Sequence, residues 1–206
     1  MIGLPSLSTR RLLLRPFTLA DAPDVQRLAG DLEIAENSLH LPHPYEDGMA
    51  ERWIGTHRIG FAWGDRLILA VTHRNEKHLI GTVGLGIERD HDRAELGYWI
   101  GRPYWNRGYA TEAVGAIIGY GFQELGLNRI HALHFSRNTA SGRVMQKVGM
   151  AHEGRLRQHV RKWGVYEDVE VYGVVREEYD AARTPAPALQ NGGEEAGYGL
   201  PHPDKG

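Results

Sequence analysis

The 206-residue chain is 41% hydrophobic and 24% charged, proportions that exclude a disordered tail protein, a collagen-like fibre and a coiled-coil rod. It has no cysteine, which removes disulfides, zinc–thiolate and iron–sulfur sites and thiol nucleophiles together. Setting aside Glu194, Glu195, Asp204 and Lys205 from the 26 acidic and 24 basic residues leaves 23 of each sign before Thr184, so the body carries no electrostatic footprint for general nucleic-acid binding.

In chain order, the apolar run near the N-terminus is too brief for a signal peptide, and no stretch approaches the length of a membrane span. The expectation is a cytoplasmic protein. Arg11 to Arg15 reads as a strand, and Leu19, Ala22, Val25, Leu28 and Ala29 recur at helical spacing after Thr18. Pro42, Pro44 and Gly48 interrupt the chain before a second helix marked by Met49, Trp53, Ile54 and His57. Leu67 to His73, Leu79 to Ile87 and Arg93 to Ile100 are β-rich runs with short connections, the first two joined by a turn at Arg74 to His78, and so form an antiparallel meander.

Gly108 to Leu125 is a long helix with Gly126 as its stop, followed by a strand from Arg129 to Phe135. Strand, helix, strand makes a crossover unit, which predicts that the strands at Arg93 and Arg129 are parallel neighbours in a mostly antiparallel sheet. A helix from Thr139 to Val148 and two strands, Ala151 to Trp163 and Tyr166 to Val175, complete a mixed α+β fold with about four helices. One domain is expected over residues 1–183, followed by a Pro/Gly-rich tail over 184–206. Glycine, 26 residues or about 13% against a usual 7%, implies bare backbone somewhere. Gly115, Gly119 and Gly121 are expected to let the long helix pack closely on the sheet, because a mid-helix glycine costs about 1 kcal/mol relative to alanine.

Chemistry concentrates between Ile100 and Ala113, where a strand end runs through Arg102-Pro103-Tyr104-Trp105-Asn106-Arg107-Gly108 into the helix. The first N–H groups of a helix lack intrahelical partners and the helix dipole adds positive potential, so this junction is a candidate anion site. Gly108 permits an unusual dihedral or close approach, Ala110 is small, and Arg107 is a charged donor. The loop has neither the G-x-G-x-x-G of a dinucleotide fold nor the G-K-S/T of a P-loop.

What remains resembles motif A of the GNAT superfamily of N-acetyltransferases, Q/R-x-x-G-x-G/A, with Gly108 and Ala110 at its last two specified positions and Trp105 at the first. PYWNRGYATEA resembles the P-Y-W-G-K-G-Y-A-T-E-A form of the RimJ/RimL-like branch, which acetylates protein N-terminal amines. STRRLLLRPFTLAD, AELGYWIG, the NTAS segment with Val144, Lys147 and Gly149, and the C-terminal hairpin extend the resemblance over roughly Ser8 to Tyr179. It implies a GNAT fold in which the parallel strands splay apart around Trp99 and His131. Acetyl-coenzyme A is the implied cosubstrate, its pyrophosphate on Asn106, Arg107, Gly108, Tyr109, Ala110 and Thr111. The main chain of Trp99 and Ile100 would meet pantetheine, together with Asn138, which also caps its helix.

Amide formation from a thioester needs a proton acceptor for the amine and a proton for the departing thiolate, without a covalent enzyme intermediate. The resemblance implies Glu95 as general base, strengthened if buried, and Ser141 as the proton donor. Alternatively, Glu95 pairs with Arg93 and Ser141 makes only a local helix bond. The histidines do not suggest a metal, since His131 and His134 lie three apart on a strand and face opposite sides; His134 or His159 could instead line the acceptor cleft. Trp53, Trp63, Trp163 and Tyr166 lie in segments flanking that cleft in the resembled fold. The expected reaction is acetyl transfer to a primary amine, most simply a protein or peptide N-terminal α-amine. A polyamine, amino acid or aminoglycoside acceptor and a non-catalytic acyl-CoA-binding protein are the alternatives, and the protein is a monomer or a homodimer.

Overall fold

The computed structural model describes residues 3–183. Eight strands form one sheet: β1 Leu7–Ser8, β2 Leu12–Arg15, β3 Arg66–His73, β4 Leu79–Glu88, β5 Arg93–Ile100, β6 Arg129–Phe135, β7 Ala151–Lys162 and β8 Val165–Val175. Their order is β1-β2-β3-β4-β5-β6-β8-β7, and only β5 and β6 run parallel. The crossover and the meander are therefore as the sequence implies. The turn at Arg74 to His78 closes with a His73 N–H bond to His78 O at 3.0 Å.

Seven α-helices lie among the described residues, more than the four expected: α1 Ala22–Ala29, α2 Leu32–Glu36, α3 Met49–Gly55, α4 His57–Trp63, α5 Tyr109–Gln123, α6 Thr139–Lys147 and α7 Arg176–Arg183. The single helix expected through Met49 and His57 is two, separated at Thr56, whose hydroxyl bonds back to Trp53 O at 2.8 Å. The short α2 and the polar α7 lack a periodic apolar stripe long enough to announce them. The expected tail from Thr184 lies outside the described residues.

The sheet separates two apolar layers. On one face Val114, Ile117, Ile118 and Phe122 of α5 pack over Leu69, Leu85, Leu96 and Ile130. On the other, α1 and α3 place Val25, Leu28, Ala50 and Ile54 against Ala70 and Trp99. Of the three helix glycines, Gly121 alone meets the sheet as expected, since a Cβ there would lie 2.8 Å from Ile130 Cδ1. Gly119 faces the Tyr179 hydroxyl of α7, and Gly115 has only ordinary contact with Val148.

One polar cluster ties the first strands to α5. Glu112 accepts from Thr9 Oγ1 at 2.6 Å and from the Arg11 backbone N–H and Nε, both at 2.7 Å. Burial works to raise the Glu112 pKa, but these donors outweigh it and hold the carboxyl below its ordinary range. A carboxylate depressed in this way contributes stability above its unfolded pKa, and that contribution is lost as the pH falls through the folded value. Glu112→Gln is expected to lose about 2 kcal/mol at neutral pH, with the gap to wild type narrowing toward about pH 4 and below; urea unfolding across that range measures both.

Candidate active site

Strands β5 and β6 pair at only three positions, Arg93 with Arg129, Ala94 with Ile130 and Glu95 with His131. Beyond them β5 stays on β4 as far as Ile100, while β6 stays on β8 as far as Phe135. The sheet opens between its two halves, leaving facing main-chain edges at Gly97 to Ile100 and Ala132 to Phe135. Unpaired backbone groups need partners, so this gap can take an extended, amide-bearing ligand.

The gap leads into a cavity of about 810 Å³ toward α5 and α6. Its mouth is the loop after β5, fixed by the Trp105 indole N–H donating to Ile100 O at 2.6 Å. Asn106 and Gly108 adopt left-handed φ values of 60° and 77°, which turn the first amides of α5 outward. Its first intrahelical bond is from the Glu112 N–H to Gly108 O, so the N–H groups of Tyr109, Ala110 and Thr111 precede the helical ladder and form an anion cradle. Arg11 braces the loop from behind, donating to Arg107 O at 2.9 Å and lying over the Tyr109 ring.

Most of the residues singled out in the sequence line this cavity: Trp99, Ile100, Asn106, Gly108, Tyr109, Ala110, Thr111, Asn138 and Ser141. Arg107 is exposed and outside the lining, and its carbonyl accepts from Arg11. Ile100 O accepts from the Trp105 indole N–H, which leaves that oxygen one further lone pair. Asn138 caps α6, its Oδ1 accepting from the Ser141 N–H at 3.2 Å. The Ser141 hydroxyl is bonded to the Tyr98 hydroxyl at 2.8 Å, a partner the sequence reading did not find. Buried His134 also lines the cavity; its Nδ1 contacts Phe135 O at 2.8 Å and its Nε2 has no partner.

On the opposite face lies a second cavity of about 630 Å³. Tyr45, Met49, Trp53 and Trp99 wall it, and Gly84, Gly86 and Gly97 floor it. These glycines sit side by side, Gly84 opposite Gly97 and Gly86 opposite Glu95. A Cβ on Gly97 would meet nothing within 4 Å, so its missing side chain is part of the open space. Behind Trp53, buried His57 has its pKa pushed down to about 4 by burial and by Arg66, and is neutral near pH 7.

Glu95 lines both cavities. The burial that would have strengthened it as a base is absent: 57% of its side chain is exposed, since neighbouring Gly86 and Gly97 have nothing with which to cover it. Nor does it pair with Arg93, which bonds Glu88 at 2.7 Å; its ionisable neighbour is His131, at 4.0 Å, whose pKa burial pushes below the ordinary imidazole value. The segment Ser38 to Leu41 roofs the meeting of the cavities. It is strapped across the gap by Lys162 Nζ, which donates to Leu41 O at 2.8 Å, while Arg137 donates to Glu36 O at 2.6 Å. Of the flanking aromatics, Trp53 reaches the second cavity, whereas Trp63, Trp163 and Tyr166 are exposed outside both. His159 lines the first cavity, not the second. No group of three His, Asp or Glu side chains among the described residues is placed to hold a metal ion.

Comparison with known proteins agrees with this geometry. Residues 11–151 match the family model described as the acetyltransferase (GNAT) domain. The uncharacterized N-acetyltransferase YoaA of Bacillus subtilis is 34% identical over 184 residues, covering 84% of this chain and 97% of YoaA. The crystal structure of a GNAT-family acetyltransferase from Bacillus anthracis superposes with a TM-score of 0.74 at 26% identity, covering 84% of this chain and 99% of the other. RimL, a ribosomal L7/L12 α-N-protein acetyltransferase solved with coenzyme A, shares the fold with a TM-score of 0.77 at 16% identity, over 83% of this chain and 98% of RimL. The loop at the head of α5, the parted parallel strands and the family match lead to one conclusion: the chain belongs to the GNAT family and is an acetyl-CoA-dependent N-acetyltransferase.

Proposed function

We propose that acetyl-CoA occupies the cavity under α5 and α6 and that the acceptor, the α-amine of a peptide or protein N-terminus, enters from the glycine-floored cavity on the other face. One observation carries this reading: the two cavities share Glu95, Gly97, Tyr98 and Trp99, so a thioester and an amine can meet through the parted strands. The α5 amides cradle the pyrophosphate, and the free edge of β5 near Trp99 pairs with pantetheine amides. The amine attacks the thioester carbonyl, Glu95 takes its proton directly or through water, and the thiolate leaves protonated.

Acceptor chemistry favours an α-amine. Its pKa of about 8 leaves a useful neutral fraction near pH 7, whereas alkyl ammonium groups near 10.4 demand more of the base. A solvent-exposed carboxylate suits the less demanding amine. The acceptor cavity also carries only two carboxylates, Asp65, paired with Arg66 at 3.7 Å, and Glu95, and its other walls are mainly apolar, which gives a polycation little to hold. RimL, similar in fold, acts on a protein α-amine.

Thiol release measured over a panel of N-terminal peptides, polyamines, amino acids and aminoglycosides tests the reading; turnover confined to the small amines would overturn the peptide acceptor. Gly97→Val should raise the acceptor KM about tenfold with less change in acetyl-CoA affinity by calorimetry, because strand alternation points the new side chain to the acceptor face, away from Tyr98. Glu95→Gln should lower kcat about 100-fold, while acetyl-CoA still binds with unchanged affinity by calorimetry.

A further inference from the structure

A serine hydroxyl is a weak acid for a departing thiolate, and Ser141 is not alone. Tyr98 projects from β5 on the α5–α6 side of the sheet, and its hydroxyl lies 2.8 Å from Ser141 Oγ. No other side-chain bond is recorded for either hydroxyl among the described residues. Both residues line the acetyl-CoA cavity, and Tyr98 also reaches the acceptor cavity. The pair bridges the gap beside the point where β5 and β6 separate, between a strand edge and the first turn of α6.

Resting on the acetyl-transfer reading above, we infer that Tyr98 is a positioning and proton-supplying residue: its phenol donates to Ser141 Oγ, leaving the serine proton aimed at the departing sulfur. In the transfer step the amine nitrogen bonds to the acetyl carbon and the carbon–sulfur bond breaks. The thiolate takes the Ser141 proton as Ser141 takes the Tyr98 proton, and water returns a proton to the phenolate. The amine's proton leaves by way of Glu95, so the overall reaction consumes one amine and one acetyl-CoA and yields one amide and one free thiol. Burial raises the phenol pKa, with the Ser141 bond opposing it, so Tyr98 stays protonated and able to donate over the working pH range.

Asn138 Oδ1 accepts from the Ser141 backbone N–H. The Ser141 hydroxyl is engaged with the Tyr98 hydroxyl and so is turned away from the helix carbonyls that serine commonly seeks in a first turn.

Steady-state kinetics on the full chain with acetyl-CoA and its best panel amine test the inference. Tyr98→Phe is expected to lower kcat between about tenfold and a hundredfold, the low end for a positioned donor because Ser141 keeps its own proton. Its melting temperature and coenzyme A affinity should stay near wild type. Tyr98→Phe combined with Ser141→Ala should be no slower than Ser141→Ala alone, since the phenol acts through the serine. Replacing Tyr98 with 3-fluorotyrosine, which keeps the shape and acidifies the phenol, should move the alkaline limb of the kcat profile to lower pH. An unchanged kcat in Tyr98→Phe, additive losses in the double variant, or an unmoved limb with fluorotyrosine each overturns the relay while leaving the acetyltransferase reading intact. A wild-type protein that acetylates none of the amines overturns both.

Discussion

Everything at the site depends on the shortness of one pairing. Parallel strands β5 and β6 are hydrogen-bonded over three residue pairs, and each is then kept straight by its outer neighbour, β4 or β8. Had the pairing continued to Ile100 and Phe135, the sheet would be closed, with no route from one face to the other and no free main-chain edge. The parting is maintained from both sides. Trp105 anchors the end of β5 through Ile100 O, while Ser136 N–H bonds Asp168 O and continues the β6–β8 register. An exposed sheet edge is normally a liability; here the edge opens into a cavity bordered by α5, α6 and the Ser38 to His40 segment.

The anion cradle depends on an indirect support. Its amides can point outward only if the preceding loop accepts two left-handed residues. Gly108 does so without steric cost, and Asn106 is among the side chains that tolerate this region best. The loop's position is set by Arg11, which joins Glu112 within α5 to the carbonyl of Arg107. This arrangement spends the charge of Arg11 on structure, so at the loop itself the backbone dipoles face the cavity, with Arg143 and Lys147 of α6 on the same lining. The neutral balance of the body is consistent with that division, because phosphate recognition by main chain needs no surplus of surface cations.

Much of the fold was legible because it rests on local signals. The alternating runs from Leu67 to Ile100, the long apolar periodicity of α5 and the glycine stops place the meander, the crossover and the motif loop from local pattern alone. The sequence showed less of the site because its side chains meet over long separations. Tyr98 stands 43 residues from Ser141, and nothing near either names the other; only the parity of β5, with Leu96 and Tyr98 on one face and Glu95 and Gly97 on the other, could have narrowed the choice. The exposure of Glu95 was unreadable for a similar reason, since what uncovers it is a glycine on the neighbouring strand. Lys162 and Arg137, which strap the roof, look in sequence like ordinary surface cations.

The glycine excess divides between two needs. Gly108 and Gly121 answer conformation and close helix packing, as the sequence suggested for at least part of the set. Gly84 answers close packing of another kind, since a Cβ there would lie 2.9 Å from Leu67 O on the neighbouring strand, but Gly97 answers neither need: its φ is not left-handed and a Cβ on it would stand in open space. In a strand each glycine forfeits roughly 0.5–1 kcal/mol, a cost that packing does not require the chain to bear at Gly97. Its position is beside Glu95 and over the opening between the cavities. In the proposed reading, the height of a side chain there is the space left for the acceptor amine, so missing atoms would set acceptor selectivity as much as the aromatic walls do.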